Sequence, residues 1–257
     1  MQAKYGSHGD IPAIALYPST VPEIFDMTIK AINISEMLRQ PVILLMDEII
    51  AHMREKILVP TQEEVDKMLV SRPKPAKGID KYLPYDASMS DVPPLAAYGE
   101  GYRFHVTGLY HDATGFPTSK PAEVDAKIRR IHRKVNNVVD DITFLRYDQM
   151  DDAEYAIVSC GSTARSARRA VVLAREKGIK VGSLQLKTIW PFPEAKVSEV
   201  CSKVKKVIVP EMNMGQMVHE VERVAKGRCK VVPYNRVDGE PLTPEEILET
   251  LAKEVAW

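Results

Sequence analysis

Asp47 and Glu48 stand directly after the apolar run Val42–Met46. In an open parallel sheet ligands gather beyond the carboxyl ends of the strands, so two adjacent carboxylates at such a point are candidates for an acid/base pair. Acids at a strand end also cap the next helix, and that reading carries the greater weight. Cys160-Gly161-Ser162-Thr163 joins another apolar run to a helical one, where free backbone N–H groups could hold an anion. One glycine and no lysine make a weak phosphate loop, so a βα turn capped by Ser or Thr is the simpler expectation. Gly99-Glu100-Gly101 opens like a dinucleotide fingerprint, but position 104 is Phe and no helical pattern follows, which excludes a Rossmann cofactor site. His105, His111 and Asp112 lack the spacing of metal ligands. Cys160, Cys201 and Cys229 are odd in number and scattered, so they are expected as reduced packing thiols, neither a disulfide framework nor an iron–sulfur cassette.

These residues have to be positioned by elements. Ile11–Tyr17 reads as a strand, and Thr20-Val21-Pro22-Glu23 has the form of a capping box with proline in the first turn. Ile24, Met27, Ala31, Ile34 and Leu38 then mark one face of an amphipathic helix. Val42–Met46 is apolar on both faces, as expected of a buried strand parallel to the first. From Ser71 to Pro117, six prolines and five glycines dissolve the periodicity. A loop of that length is expected to be pinned to another surface, with Tyr102, Phe104, Leu109, Tyr110 and Phe116 as anchors. A helix follows with Val124, Ile128, Ile131, Val135 and Val138 on one face; its Lys127, Arg129, Arg130, Arg133 and Lys134 are expected to form a solvated face.

After Asp148 strand and helix alternate: strands at Tyr155–Cys160, Val181–Leu186, Val207–Val209 and Lys230–Val232, helices from Thr163, through Cys201, from Gln216 and from Pro244 with Thr243 as cap. The expected fold class is α/β, with parallel-sheet layered units covered by helices and a boundary near residue 145. Lys plus Arg (35) cancels Asp plus Glu (35), so no global field points to nucleic acid or an anionic membrane. No apolar run approaches the roughly 20 residues of a membrane span, and a cytoplasmic protein is expected.

Taken together, several segments resemble the alpha subunit of the 2-oxoacid:ferredoxin oxidoreductases, the 2-oxoglutarate branch above the others. They are Gly6-Ser7-His8-Gly9-Asp10, Pro41–Glu48 running into His52-Met53-Arg54-Glu55, Gly99–Arg103, His105–Leu109 with His111-Asp112, Gly161-Ser162-Thr163, Trp190-Pro191-Phe192-Pro193 and Pro210–Gln216. The resemblance implies oxidative decarboxylation of a 2-oxoacid on thiamine diphosphate with magnesium, electrons leaving through iron–sulfur clusters to ferredoxin and the acyl group passing to coenzyme A. It implies residues 1–60 as the C-terminal part of a pyrimidine-binding domain, 61–145 as a connector with one amphipathic helix, and 146–257 as a transketolase C-terminal-like domain. It implies a beta subunit as partner, gamma and ferredoxin-like delta subunits as further candidates, and clusters held by partners.

The sequence departs from the family in lacking its first hundred or more residues, with their pyrimidine-activating glutamate and substrate segment, and the Gly-Asp-Gly…Asn-Asn pattern that holds magnesium and the diphosphate. No catalytic, cofactor-binding or metal residue is therefore carried over. Only Ser7, His8, Gly9 and Asp10 are expected as a loop near a composite site, and the isolated chain is expected to be inactive. The alternatives are the pyruvate or branched-chain branch of the family, and a non-catalytic interaction or assembly protein.

Overall fold

The computed structural model describes residues 2–5 and 10–255. A short helix α1 (Gln2–Tyr5) precedes strand β1 (Ala15–Leu16), helix α2 (Val21–Leu38), strand β2 (Ile43–Leu44) and helices α3 (Glu48–His52), α4 (Gln62–Met68) and α5 (Pro121–Asn136). Then come β3 (Leu145–Asp148), β4 (Tyr155–Ser159), α6 (Thr163–Glu176), β5 (Val181–Leu186), β6 (Thr188–Trp190) and α7 (Glu194–Lys203). The chain closes with β7 (Lys206–Glu211), α8 (Met217–Ala225), β8 (Lys230–Asn235) and α9 (Pro244–Val255).

The C-terminal strands form one sheet in the order β3-β5-β4-β7-β8, parallel throughout except for β3, which runs antiparallel on the β5 edge. Alternation of side chains along each strand feeds two cores. Ala156, Val158, Val207 and Val209 face Val197 and Val200 of α7 and Val218 and Val221 of α8. Ile157 and Ile208 face Ala167, Ala170 and Ala174 of α6 and Ile247 and Leu251 of α9. Helices on both faces explain why these strands read as unbroken apolar runs. Gly178, at φ +80, follows α6 at its expected end. Thr243 caps α9, its hydroxyl accepting from Glu246 N–H at 3.3 Å.

The N-terminal sheet is small, in the order β2-β1-β6. β1 and β2 are parallel as expected, but the third strand is β6, antiparallel to β1 and not foreseen from sequence. The chain thus leaves the large sheet after β5 and enters the small one within two residues. The core here gathers Ile14, Leu16, Met27, Ile34 and Leu38 with Val135 of α5 and Ile142, so α2 and α5 pack into one cluster. β2 departs from expectation: it is an edge strand, with Ile43 37% and Met46 45% exposed, not a strand buried on both faces.

Two further expectations are corrected. The stretch between α4 and α5 is pinned less by the named apolar anchors than by charge, since Leu109, Tyr110 and Phe116 are exposed. Arg39 donates to the carbonyls of Pro84 and Pro93 at 2.7 Å, and Arg133 pairs with Asp91 at 2.5 Å. The basic face of α5 is not wholly solvated either. Lys134 is buried, donating to the Leu38 carbonyl at 2.7 Å and so satisfying a C-terminal carbonyl of α2. No helix among the described residues is long and apolar enough to cross a membrane.

Candidate functional site

The carboxyl ends of β1, β2, β4 and β7 contribute residues to one junction between the two sheets, where general topology places ligands. Tyr17 follows β1, Asp47 follows β2, Cys160-Gly161-Ser162 follows β4, and Glu211 ends β7. Asp47 occupies the position that opens α3, yet its side chain makes no cap there. The carboxylate instead accepts the Tyr17 hydroxyl and, at 2.6 Å, the backbone N–H of Ser162 at the start of α6. The anion that the Cys160–Thr163 turn receives is therefore the chain's own carboxylate, which explains a helix N-terminus without lysine or further glycines. Gly161 is required here: its φ is +56, and a Cβ would lie 2.5 Å from both Asp47 Oδ2 and the Tyr17 ring.

A second carboxylate repeats the device. Glu211 is buried and accepts the N–H groups of Gln216, Met217 and Val218 at 3.1, 2.8 and 2.9 Å, closing the N-terminus of α8. Beside these strand ends opens a cavity of about 460 Å³ whose lining includes Tyr17, Met46, Cys160, Trp190, Asn213 and Gln216. On its wall Lys4 of α1 pairs with Glu220 of α8 and lies 4.7 Å from the Trp190 ring centre. Burial pushes the Tyr17 hydroxyl and the Cys160 thiol far above their ordinary pKa, reinforced by neighbouring Asp47 in each case. A raised thiol pKa disfavours the thiolate at Cys160. Asp47 has both oxygens engaged and Glu48 points into solvent, so the two do not form an acid/base pair.

Beside the cavity the two units are joined by a polar seam. Gln185 of β5 donates to Ser19 Oγ at 2.8 Å and to Glu23 at 3.0 Å, and Lys187 pairs with Glu23 at 2.9 Å. Glu23 N–H donates to Thr20 Oγ1 as the capping box requires, but the Glu23 carboxylate turns to Ser19, Gln185 and Lys187 and not back to Thr20. Glu55 accepts Val21 N–H at 2.7 Å and pairs with Arg165 at 2.7 Å.

Ser7, His8 and Gly9 lie outside the described residues. Asp10 is exposed at φ +51, and its carbonyl accepts from His132 Nε2 at 3.1 Å. Sequence reasoning reached Asp47 and the Cys160–Thr163 turn but missed Tyr17 and Glu211, although both sit at strand ends where the same rule points. Lys4 and Glu220 carried no local signal, because their contacts join opposite ends of the chain, and Trp190 entered only as part of the Trp190–Pro193 resemblance. The Gly99-Glu100-Gly101 turn takes no part in the lining; Glu100 pairs with Lys74 at 2.6 Å.

Among the described residues, the charged groups at this junction are engaged within the chain and do not fit magnesium or a diphosphate. Asp47 and Glu211 spend their oxygens on N–H and O–H donors, and Lys4 is already paired. Among the described residues no three His, Cys, Asp or Glu side chains gather to hold a metal ion. The arrangement fixes two α/β units around an opening.

Residues 1–130 match the family model described as "Pyruvate flavodoxin/ferredoxin oxidoreductase, thiamine diP-bdg", and residues 153–247 match "Pyruvate:ferredoxin oxidoreductase core domain II". The chain is 41% identical over 252 residues to 2-oxoglutarate synthase subunit KorA of Methanothermobacter marburgensis, covering 98% of this chain and 66% of that relative. It is 29% identical to ketoisovalerate oxidoreductase subunit VorB of Methanothermobacter thermautotrophicus, over 98% of this chain and 63% of the relative. A solved 2-oxoglutarate:ferredoxin oxidoreductase from Magnetococcus marinus, with 2-oxoglutarate, coenzyme A and succinyl-CoA bound, superposes with a TM-score of 0.88 at 32% identity, over 99% of this chain and 44% of that one. The chain spans about two thirds of the length of the first of these curated relatives.

Proposed function

This chain belongs to the pyruvate flavodoxin/ferredoxin oxidoreductase family, and we propose that it serves as the alpha subunit, or part of it, of an enzyme that oxidatively decarboxylates 2-oxoglutarate to an acyl-CoA while reducing ferredoxin. The observation that carries the choice of substrate is the 41% identity to 2-oxoglutarate synthase subunits, against 29% to a ketoisovalerate oxidoreductase subunit over a similar span. The organisation that goes with this reading assigns residues 1–60 to the pyrimidine-binding domain, 61–145 to a connector and 146–257 to a transketolase C-terminal-like domain. The closed carboxylates support a division of labour in which this chain holds the two units and its partners bring the diphosphate site.

Under this reading thiamine diphosphate supplies the carbanion chemistry, and magnesium and the iron–sulfur clusters are held by a beta subunit and its associates. We place Ser7, His8, Gly9 and Asp10 near the composite site, a placement supported by Ala3 and Lys4 just before them lining the cavity. Free thiols at Cys160, Cys201 and Cys229 agree with a cytoplasmic setting. The test is ferredoxin reduction by this chain assembled with its partner subunits, supplied with 2-oxoglutarate, pyruvate or 2-oxoisovalerate in parallel. Preference for 2-oxoglutarate is expected. Preference for pyruvate or the branched-chain acid would move the protein to another branch, and assembly without turnover on any of the three would favour a non-catalytic interaction role.

A further inference from the structure

A second cavity, of about 400 Å³, lies between α5 and the irregular segment before it, away from the strand-end junction. Tyr85 lines it. Its ring centre is 3.8 Å from that of His111, 5.3 Å from the Arg39 guanidinium and 5.5 Å from the Lys127 ammonium. Arg130 lines the same cavity, and a smaller hollow continuing from it adds Lys134. The smaller hollow, of about 150 Å³, shares Tyr85, His111, Lys127 and Arg130 with the larger cavity and is lined by Arg39 as well, so four cations face it, with Asp91 on its wall and Asp112 and Glu123 on that of the larger cavity. Among the described residues none of the four forms an ion pair with a carboxylate. Arg39 donates to the carbonyls of Pro84 and Pro93, Arg130 to that of Asp91 and Lys134 to that of Leu38. Lys127 meets His111 Nε2 at 2.6 Å.

The acids nearby are committed elsewhere. Asp91 pairs with Arg133 at 2.5 Å, Glu123 with Lys120 at 2.9 Å, and Asp112 accepts from Thr114 N–H at 2.8 Å. Taking charge out of water without a counter-charge is unfavourable, and placing several like charges together adds to that cost. Carbonyl dipoles offset part of it and leave the net charge in place. Burial, with Arg130 close by, pushes the Lys127 ammonium down to about 8, the direction expected of a cation without a partner. A cluster of this kind in a cleft is a place where a ligand of opposite charge completes the electrostatics.

We propose that the smaller hollow binds a phosphate group, free or as the ester of a small molecule whose remainder extends into the larger cavity, held by Arg39, Lys127 and Arg130. A tetrahedral dianion fits the set better than a single carboxylate, because it offers oxygens in several directions to two guanidinium forks and an ammonium. The proposal stands apart from the catalytic reading above and does not depend on it.

The experiment is calorimetric titration of the full 257-residue chain with inorganic phosphate, ADP and 2-oxoglutarate at fixed ionic strength set by chloride. Saturable phosphate binding is expected, weakened at least tenfold in Lys127→Gln and in Arg130→Gln. Tighter binding of ADP than of phosphate assigns the site to an ester, and phosphate binding as tightly as ADP or tighter assigns it to the free ion; both support the proposal. Unfolding midpoints without ligand supply the second readout. Removing an unpaired cation is expected to leave Lys127→Gln as stable as the parent, or more so. No saturable binding above the chloride background, binding by both variants as tight as the parent's, or 2-oxoglutarate binding as tightly as phosphate would each overturn the assignment. So would marked loss of stability in Lys127→Gln, which would make that lysine a structural strut.

Discussion

In the C-terminal unit four parallel strands of five or six residues lie between two helix pairs, while the N-terminal unit rests on paired strands of only two or three residues. The first is closed on both faces by its own helices, with Ile157, Leu184, Ile208 and Leu251 fully buried. The second ends in an open edge at β2 and borrows β6 from its neighbour. The comparison shows how one chain divides its tasks. The C-terminal sheet supplies rigidity, and the N-terminal unit, fastened to it by the β1–β6 pairing and by the polar seam, sets the walls of the junction.

The sharpest way to break that contrast is a pair of substitutions, one in each sheet. Leu184→Ala removes a fully buried side chain from the large sheet and is expected to cost about 2–5 kcal/mol in urea-induced unfolding. Ile43→Ala on the open edge, already over a third exposed, is expected to cost less than about 1 kcal/mol. Equal losses at the two positions would show that the units share one cooperative core and that the edge is covered.

The same difference governs what could be read from sequence. The four parallel strands and four helices of the C-terminal unit were legible because local signals agree there: apolar runs of strand length, helices of period 3.6, Gly178 after α6 and Thr243 before α9. The antiparallel edge strand β3, with the charged Arg146 and Asp148 in its four residues, was not. In the N-terminal unit α2 was legible from its spacing, but β6 was not. Three residues after β5 look like a continuation toward Pro191, and only the long-range partner Ala15–Leu16 makes them a strand. The candidate site was half legible. Strand-end position pointed to Asp47 and Gly161, while the partner of each, the other, is more than a hundred residues away. The basic face of α5 was misread for a related reason: helical periodicity cannot distinguish water from a segment without secondary structure as what covers a face.

A smaller effect sharpens the junction itself. Gly161→Ala forces a side chain to positive φ and into Asp47 and Tyr17, and is expected to cost about 2–3 kcal/mol. The loss should be accompanied by earlier protease cleavage within residues 10–60, because the substitution pushes the two units apart. A loss of stability without any change in cleavage would place the strain inside the C-terminal unit alone.

The smallest expected effect is on acid stability. Burial by itself would raise the pKa of Glu23, but Lys187 and the N–H and hydroxyl of Ser19 outweigh it and hold the carboxyl below its usual 4.5. A carboxyl depressed in the folded state contributes stability above its unfolded pKa, and that contribution is lost as pH falls through the lower folded value. Glu23→Gln is therefore expected to flatten the decline of stability below about pH 4.5, read from unfolding midpoints between neutral pH and pH 3. An unchanged slope would remove Glu23 from the seam's energetics.

The account's central claim is that the strand-end junction holds two units in place and does not itself carry the cofactor. It is tested most directly by calorimetric titration of the isolated chain with thiamine diphosphate and magnesium, repeated after assembly with a beta subunit. The account predicts no binding in the micromolar range by the chain alone, since Asp47 and Glu211 are consumed by internal donors, and binding only in the assembly. Micromolar, magnesium-dependent binding by the isolated chain, abolished by Asp47→Asn, would contradict it and make the junction the cofactor site.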